Sequence, residues 1–139
     1  MDGEYGLALF RGIFFAAAAR EVLTSGTPSL NTGKVGVYRS INPSTGEVQY
    51  IGITESYEAR AAAHLREKGI QIEKIGGLEN LSRQDARAVE QVLIEYYGLG
   101  KNGGTLLNKI NSIAPSNPTY ADALRHGSEL LRQAGYPLN

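Results

Sequence analysis

The chain lacks cysteine, has no excess of either charge, and has no hydrophobic run long enough to cross a membrane. Its 139 residues include 14 Lys and Arg against 14 Asp and Glu, so the formal net charge is zero. Without cysteine there is neither a disulfide nor a thiolate metal site, although such a chain fits any redox compartment. A neutral total counts against a broad basic surface for nucleic acid, but it permits a local basic groove.

The most apolar stretch, residues 6–19, is too short to span a bilayer and carries Arg11 near its middle. A signal peptide begins with positive charge, whereas Asp2 and Glu4 precede this stretch. We therefore expect neither a membrane span nor a signal peptide. The apolar residues recur at helical spacing, which predicts a helix that packs on the domain or on a partner.

A chain of this length supports one domain with room for an extra terminal element. Residues 24–33 are rich in Gly, Ser, Thr, Pro and Asn, a composition typical of a linker. We therefore divide the chain into an N-terminal apolar helix with its linker, residues 1–33, and a single domain, residues 34–139.

Within that domain, residues 34–40 and 47–54 have the β-branched and aromatic content of strands. Asn42-Pro43-Ser44-Thr45-Gly46 between them supplies turn residues, which together predict a β-hairpin. Patterns of apolar spacing and helix-ending glycines then predict four more elements: a helix from Ser56 to about Lys68, a strand at 70–75, a helix from Ser82 through Tyr97, and a helix from Thr119 to near Gly135. The side chains of Ser56, Ser82 and Thr119 are the expected helix caps. This order of elements defines a small α+β domain.

Two tyrosines of the predicted hairpin, Tyr38 and Tyr50, are followed by residues suited to phosphodiester hydrolysis. Arg60 offers a planar fork of donors for phosphate, and His64 lies one helical turn later on the same face. Glu90 falls in the next helix among apolar residues, and one such carboxylate suffices for Mg²⁺, which keeps several water ligands. We expect Arg60 and a metal to favour the ionised form of a nearby tyrosine, and His64 to take up its proton.

The strings Gly36-Val37-Tyr38 and Tyr50-Ile51-Gly52, with eleven residues between them, resemble the motifs of the GIY-YIG nuclease family. Val37 stands where the family name has Ile. The stretch YIGITESYEARAAAH is similar to the family's second motif followed by its arginine and, four residues later, a His or Tyr. Glu90, followed by Leu93-Ile94, is similar to the family's metal-binding glutamate. The match covers about residues 34–110.

The resemblance implies a three-stranded antiparallel sheet flanked by helices and a metal-dependent endonuclease. The implied catalytic residues are Tyr38, Tyr50, Arg60, His64, Glu90 and Asn108, with Glu90 as the ligand of Mg²⁺ or Mn²⁺. The family's asparagine matches Asn102 by spacing and Asn108 by its Leu-Asn context. We favour Asn108, which makes the loop GLGKNGG an insertion.

The resemblance, with the linker-like segment, also implies a role as the C-terminal nuclease of a bacterial polymorphic toxin. Such an effector would be delivered into a target-cell cytoplasm, would cleave nucleic acid, with DNA favoured over RNA, and would have a cognate immunity protein. The alternatives are an RNA- or tRNA-cleaving toxin of the same fold, a fragment of a repair or restriction nuclease, and an inactive nucleic-acid-binding module. Tyr38 and Tyr50 could also be ordinary cross-strand partners. The oligomeric state stays open.

Overall fold

The structure, a computed structural model, describes residues 33–138. The predicted N-terminal apolar helix therefore lies outside the described residues. The ordered elements, in chain order, are β1 (Gly36–Ile41), β2 (Val48–Thr54), α1 (Tyr57–Lys68), β3 (Glu73–Lys74), α2 (Arg83–Tyr97), a 3₁₀ turn (Gly100–Asn102) and α3 (Tyr120–Gln133). The α+β class and the order hairpin, helix, strand, helix, helix are confirmed.

The sheet has three antiparallel strands, with β1 in the centre between β2 and β3. The predicted turn joins β1 to β2: the Asn42 side chain accepts a hydrogen bond from the backbone N–H of Ser44 at 2.8 Å. Gly46 has a φ of 78°, which glycine adopts without steric cost. The hairpin prediction is thus confirmed, with strand ends that differ by one or two residues.

The outer edge of β2 is covered by the segment 105–108. Thr105 Oγ1 donates to the carbonyl of Val48 at 2.8 Å, and the N–H of Leu107 donates to the carbonyl of Gln49 at 2.7 Å. The side chain of Asn108 then continues along the same edge. This segment follows the glycine-rich loop and ties it to the strand that carries Tyr50.

The third strand is shorter than predicted, because only Glu73 and Lys74 of the segment 70–75 belong to β3. Only these two residues pair with β1, at Arg39 and Tyr38. The carbonyl of Ile72, just before the strand, accepts a hydrogen bond from the Tyr57 hydroxyl of α1 at 2.6 Å. The predicted extent of this strand was wrong.

Helix capping follows the prediction at one helix and departs from it at two. The N–H of Asp85 donates to Ser82 Oγ at 3.0 Å, which caps α2. Ser56 and Thr119 occupy N-cap positions, but neither side chain makes a capping hydrogen bond. Thr119 Oγ1 donates instead to Asn117 Oδ1 at 2.8 Å.

Helix α2 forms the centre of the core, and its buried face includes the predicted Ala88, Val92 and Leu93. Helix α3 packs against it at Gly127, where an added Cβ would lie 2.4 Å from the carbonyl oxygen of Ala88. Only glycine permits this close approach. Among residues 33–138, no helix has the length and apolar content needed to cross a membrane.

Candidate active site

Tyr38 of β1 and Tyr50 of β2 lie on the same face of the sheet. Their rings are stacked, with centroids 6.4 Å apart and planes at 11°. Strand register explains this pairing, since Tyr38 is opposite Gly52 and Tyr50 is opposite Ser40, which makes the two tyrosines diagonal neighbours. Tyr38 is buried, with 4% of its surface exposed.

The glycine of the second motif has a steric role beside Tyr38. A Cβ added at Gly52 would lie 2.2 Å from the Tyr38 hydroxyl oxygen, well inside van der Waals contact. The Tyr38 ring can therefore cross β2 only because residue 52 has no side chain. Gly36, the glycine of the first motif, has no such constraint, because an added Cβ there would find its nearest atom 3.8 Å away.

Helix α1 brings His64 against both tyrosines. Within α1, which the structure describes throughout, His64 is the only buried side chain. Its Nε2 lies 2.8 Å from the Tyr38 hydroxyl, and its ring packs edge-on to Tyr50 with centroids 4.8 Å apart. Arg60, one turn earlier, is exposed and acts electrostatically on both tyrosines and on His64.

Lys68 also belongs to this cluster, although the sequence analysis did not include it. Its Nζ lies 6.0 Å from the centroid of the Tyr50 ring, and its charge acts on His64. The signal that could have found it is its spacing, because Lys68 follows His64 by the same four residues that separate His64 from Arg60.

Glu90 of α2 is partly buried and interacts electrostatically with Tyr38 and Tyr50. Burial raises the pKa of its carboxyl group; a hydrogen bond from Ser112 and the charges of Arg87 and Arg83 lower it in part. The carboxylate is thus a desolvated negative charge that its neighbours only partly compensate.

Asn108 binds the backbone of the residue next to Tyr50. Its Oδ1 accepts from the N–H of Ile51 at 3.1 Å, and its Nδ2 donates to the carbonyl of Ile51 at 2.8 Å. Asn108 therefore positions β2 at the site. Asn102, the other possibility from the sequence, is exposed in the 3₁₀ turn.

A second positioning residue, Gln91, was missing from the sequence analysis. It is fully buried, its Nε2 donates to Asn111 Oδ1 at 2.9 Å, and its Oε1 accepts from the N–H of Ile113 at 2.9 Å. These bonds hold the loop whose Ser112 bonds to Glu90. No local pattern around Gln91 distinguishes it from a solvated polar residue of a helix.

The protonation states of Tyr38 and His64 are set mainly by burial. Desolvation raises the pKa of Tyr38 well above its usual value, Tyr50 and Glu90 raise it further, and Arg60 opposes them. The effect of Arg60 has the expected sign, and the ionised tyrosine that we expect with Arg60 and a bound metal together stays a prediction. The pKa of His64 is lowered by burial and by Lys68 and Arg60, against the smaller effect of Glu67. At neutral pH the site therefore contains a neutral phenol hydrogen-bonded to a neutral imidazole.

Several cations act on the titratable groups of this site. The four cations that act on the cluster are Arg60, Lys68, Arg83 and Arg87. Arg83 also pairs with Glu55 at 3.3 Å, and Arg87 donates to the carbonyl of Ser112. These cations are offset in part by Glu55, Glu67 and Glu90, so the site carries charges of both signs.

The side chains around Glu90 fit a metal site that has few protein ligands and several waters, but not one closed by protein ligands. Across residues 33–138, no three His, Cys, Asp or Glu side chains converge as the ligands of a closed protein cage would. Mg²⁺ commonly binds through one or two carboxylates and retains several waters, and a partly compensated carboxylate such as Glu90 is stabilised by a cation. The residues present therefore fit Mg²⁺ or Mn²⁺ held by Glu90 and water.

Comparison of the chain with protein-family models, with curated proteins and with solved structures found no match.

Proposed function

We propose that this protein is a metal-dependent endonuclease that hydrolyses phosphodiester bonds. The observation that carries the proposal is the hydrogen bond between the Tyr38 hydroxyl and Nε2 of His64, inside a cluster that also contains Tyr50 and Glu90. Ordinary cross-strand tyrosines do not require a buried histidine bonded to one hydroxyl and surrounding cations. Nucleophile activation and phosphate binding require both.

In this mechanism the scissile phosphate binds on the exposed side of the tyrosine pair. Arg60 donates to its oxygens, and Lys68 adds a second positive charge beside Tyr50. Mg²⁺ or Mn²⁺ bound through Glu90 would neutralise charge on the phosphate and on the leaving oxygen. Tyr50 packs against Tyr38 and His64 and orients both groups.

The Tyr38 hydroxyl and His64 then move the proton of the attacking water. With Nδ1 as the protonated nitrogen of His64, its Nε2 accepts the Tyr38 proton while the Tyr38 oxygen accepts a proton from water. The hydroxide attacks phosphorus, the P–O bond on the opposite side breaks, and the leaving oxygen takes a proton from solvent. The lowered pKa of His64 returns its extra proton to solvent for the next turnover.

Two substitutions test this proposal with purified protein, using plasmid, genomic DNA and total tRNA with and without Mg²⁺. Tyr38→Phe and Glu90→Gln should each reduce cleavage about 100-fold to 10,000-fold, the range typical of lost proton transfer or charge stabilisation. Tyr97→Phe, which removes a hydroxyl bonded to Tyr136, and Glu129→Gln on α3 are the matched controls. Full metal-dependent cleavage by Glu90→Gln would refute the mechanism.

The substrate panel also tests the preference for DNA over RNA. We propose DNA as the substrate, and cleavage of tRNA alone would identify the RNA-cleaving alternative. Binding without cleavage by the wild type would instead identify the inactive binding module. These three outcomes can be compared directly, because all of them are measured with the same protein preparations and the same metal.

The cellular role that accompanies this proposal is an interbacterial toxin that acts in the cytoplasm of a target cell and is neutralised by an immunity protein. Its support is the linker-like composition of residues 24–33 before a small nuclease-like domain. Expression of the wild type in a susceptible bacterium should arrest growth, and expression of Glu90→Gln should not. Equal growth with both proteins would contradict this role.

A further inference from the structure

Two large apolar side chains are exposed in the loop formed by residues 107–113. Leu107 has 53% of its surface exposed and Ile110 has 75%, and the exposed Lys109 lies between them. A contiguous exposed apolar patch can mark a binding surface, and these two side chains are separated by only two residues of the same loop. We call residues 107–113 the bridging loop.

The bridging loop is fixed at both ends by hydrogen bonds to buried elements. At one end the N–H of Leu107 donates to Gln49, and the Asn108 amide binds both backbone groups of Ile51. At the other end the buried Gln91 binds Asn111 and Ile113. Lys109 and Ile110 lie between these two anchors. Their side chains are thus exposed although the loop is held in place at both ends.

Both anchors lead directly to the candidate active site. Ile51 follows Tyr50 in β2, and Gln91 follows Glu90 in α2. The loop is therefore tethered on one side to the strand that carries Tyr50 and on the other side to the helix that carries Glu90. Arg87, which donates to the carbonyl of Ser112, adds positive charge on the same side.

We propose that Lys109 and Ile110 bind the polynucleotide beside the scissile phosphate, Lys109 at a backbone phosphate and Ile110 against the bases. This inference rests on the proposed nuclease function and assigns the substrate contacts that flank the reaction centre. The positive charge of Lys109 and Arg87 complements a phosphate backbone. Isoleucine is among the apolar side chains that proteins insert between or against base steps.

Substitutions at the tip can test the proposal without disturbing the core, because both side chains are exposed. Ile110→Ser and Lys109→Gln are compared with Leu65→Ser, an exposed leucine of α1, and with Arg125→Gln on α3. Affinity for a fluorescent duplex is measured by anisotropy in a Glu90→Gln background, which prevents cleavage. Single-turnover cleavage is measured for the same four substitutions in the otherwise wild-type chain.

Ile110→Ser should weaken binding about tenfold without changing its salt dependence, since it removes apolar contact alone. Lys109→Gln should weaken binding and reduce the slope of log affinity against log salt by about one, because one phosphate contact is lost. The control substitutions should leave affinity, salt slope and cleavage unchanged.

Failure of this inference can be distinguished from failure of the proposed function. If the wild type cleaves but both tip substitutions leave affinity and cleavage unchanged, the bridging loop does not bind the substrate and this inference alone is overturned. That result would also be expected if the tip served a protein partner. If the wild type neither binds nor cleaves any polynucleotide, the proposed function itself fails.

Discussion

At the scale of single residues, the site contains two neutral groups, Tyr38 and His64, that are joined by a hydrogen bond. Tyr38 stays protonated because burial raises its pKa, and His64 stays neutral because burial and nearby cations lower its pKa. A neutral imidazole is a proton acceptor, whereas an imidazolium is not. The raised pKa of Tyr38 and the lowered pKa of His64 both oppose proton transfer from the phenol alone, so the proposed relay moves two protons together, one from water to Tyr38 and one from Tyr38 to His64.

The pH dependence of cleavage should follow His64. In the proposed mechanism activity requires the neutral form of His64, so kcat/KM should remain high as pH falls through the ordinary value of 6.5 and decline only near the lowered pKa. A pH–rate profile at saturating Mg²⁺ measures this decline. His64→Asn should remove this acidic limb together with most of the rate. An acidic limb centred above 6.5 would contradict the proposed role of His64.

At the scale of elements, the hairpin motif contains two glycines with different physical roles. Gly52→Ala should displace the Tyr38 ring, destabilise the fold by about 1–3 kcal/mol through overpacking, and reduce cleavage about 100-fold through misplacement of the hydroxyl. Gly36→Ala is the matched control, because its new methyl group meets open space or ordinary contact. Its free energy of unfolding should change by no more than about 1 kcal/mol.

Urea unfolding and single-turnover cleavage of both variants measure these effects. The result that would contradict the steric argument is equal loss of activity in Gly52→Ala and Gly36→Ala. Retention of stability by Gly52→Ala with loss of activity would still agree with it, since flexible relaxation around the ring can relieve the clash and leave the hydroxyl out of place.

Elements with strong local signals could be predicted from the sequence. The turn residues from Asn42 to Gly46 specify the hairpin, and the apolar spacing of α2 specifies its buried face. The third strand could not be bounded in this way, because the apolar and polar alternation of residues 70–75 extends beyond the two residues, Glu73 and Lys74, that pair with β1. Thr119 shows a related limit. Its hydroxyl donates to Asn117 and does not cap α3, and the sequence does not show which of these two local hydrogen bonds forms.

The site residues also divide into those whose positions follow from local sequence signals and those whose positions do not. Strand pairing in the hairpin makes Tyr38 and Tyr50 neighbours, but helical spacing places His64 only on the face of α1 that carries Arg60 and does not predict its contact with the tyrosines. Gln91 and Ser112 act through partners about twenty residues away along the chain, Asn111 and Glu90. Only the folded loop brings these pairs together, so no spacing rule finds them.

At the scale of the whole molecule, Glu90 costs stability when no cation is bound. Because burial raises its pKa above the ordinary 4.5, stability should fall as pH rises from 4.5 through the raised pKa. Glu90→Gln should therefore stabilise the metal-free protein at neutral pH. Mg²⁺ at ten times its Kd should raise the free energy of unfolding of the wild type by about 1.4 kcal/mol.

Urea unfolding with Mg²⁺, and with K⁺ at equal ionic strength as the control, measures this stabilisation. The shift should be absent in Glu90→Gln and should persist in Tyr38→Phe, which keeps the carboxylate. An equal Mg²⁺ effect in the wild type and in Glu90→Gln would show that the cation binds elsewhere.

The segment that covers the outer edge of β2 has a consequence for how copies of the chain behave together. An uncovered strand edge is a template for pairing with another chain and hence for aggregation. Here Thr105, Leu107 and Asn108 occupy the hydrogen-bonding groups of β2 from Val48 to Ile51. The same amide that orients the strand of Tyr50 thus also shields part of that strand's edge from pairing with other copies of the chain.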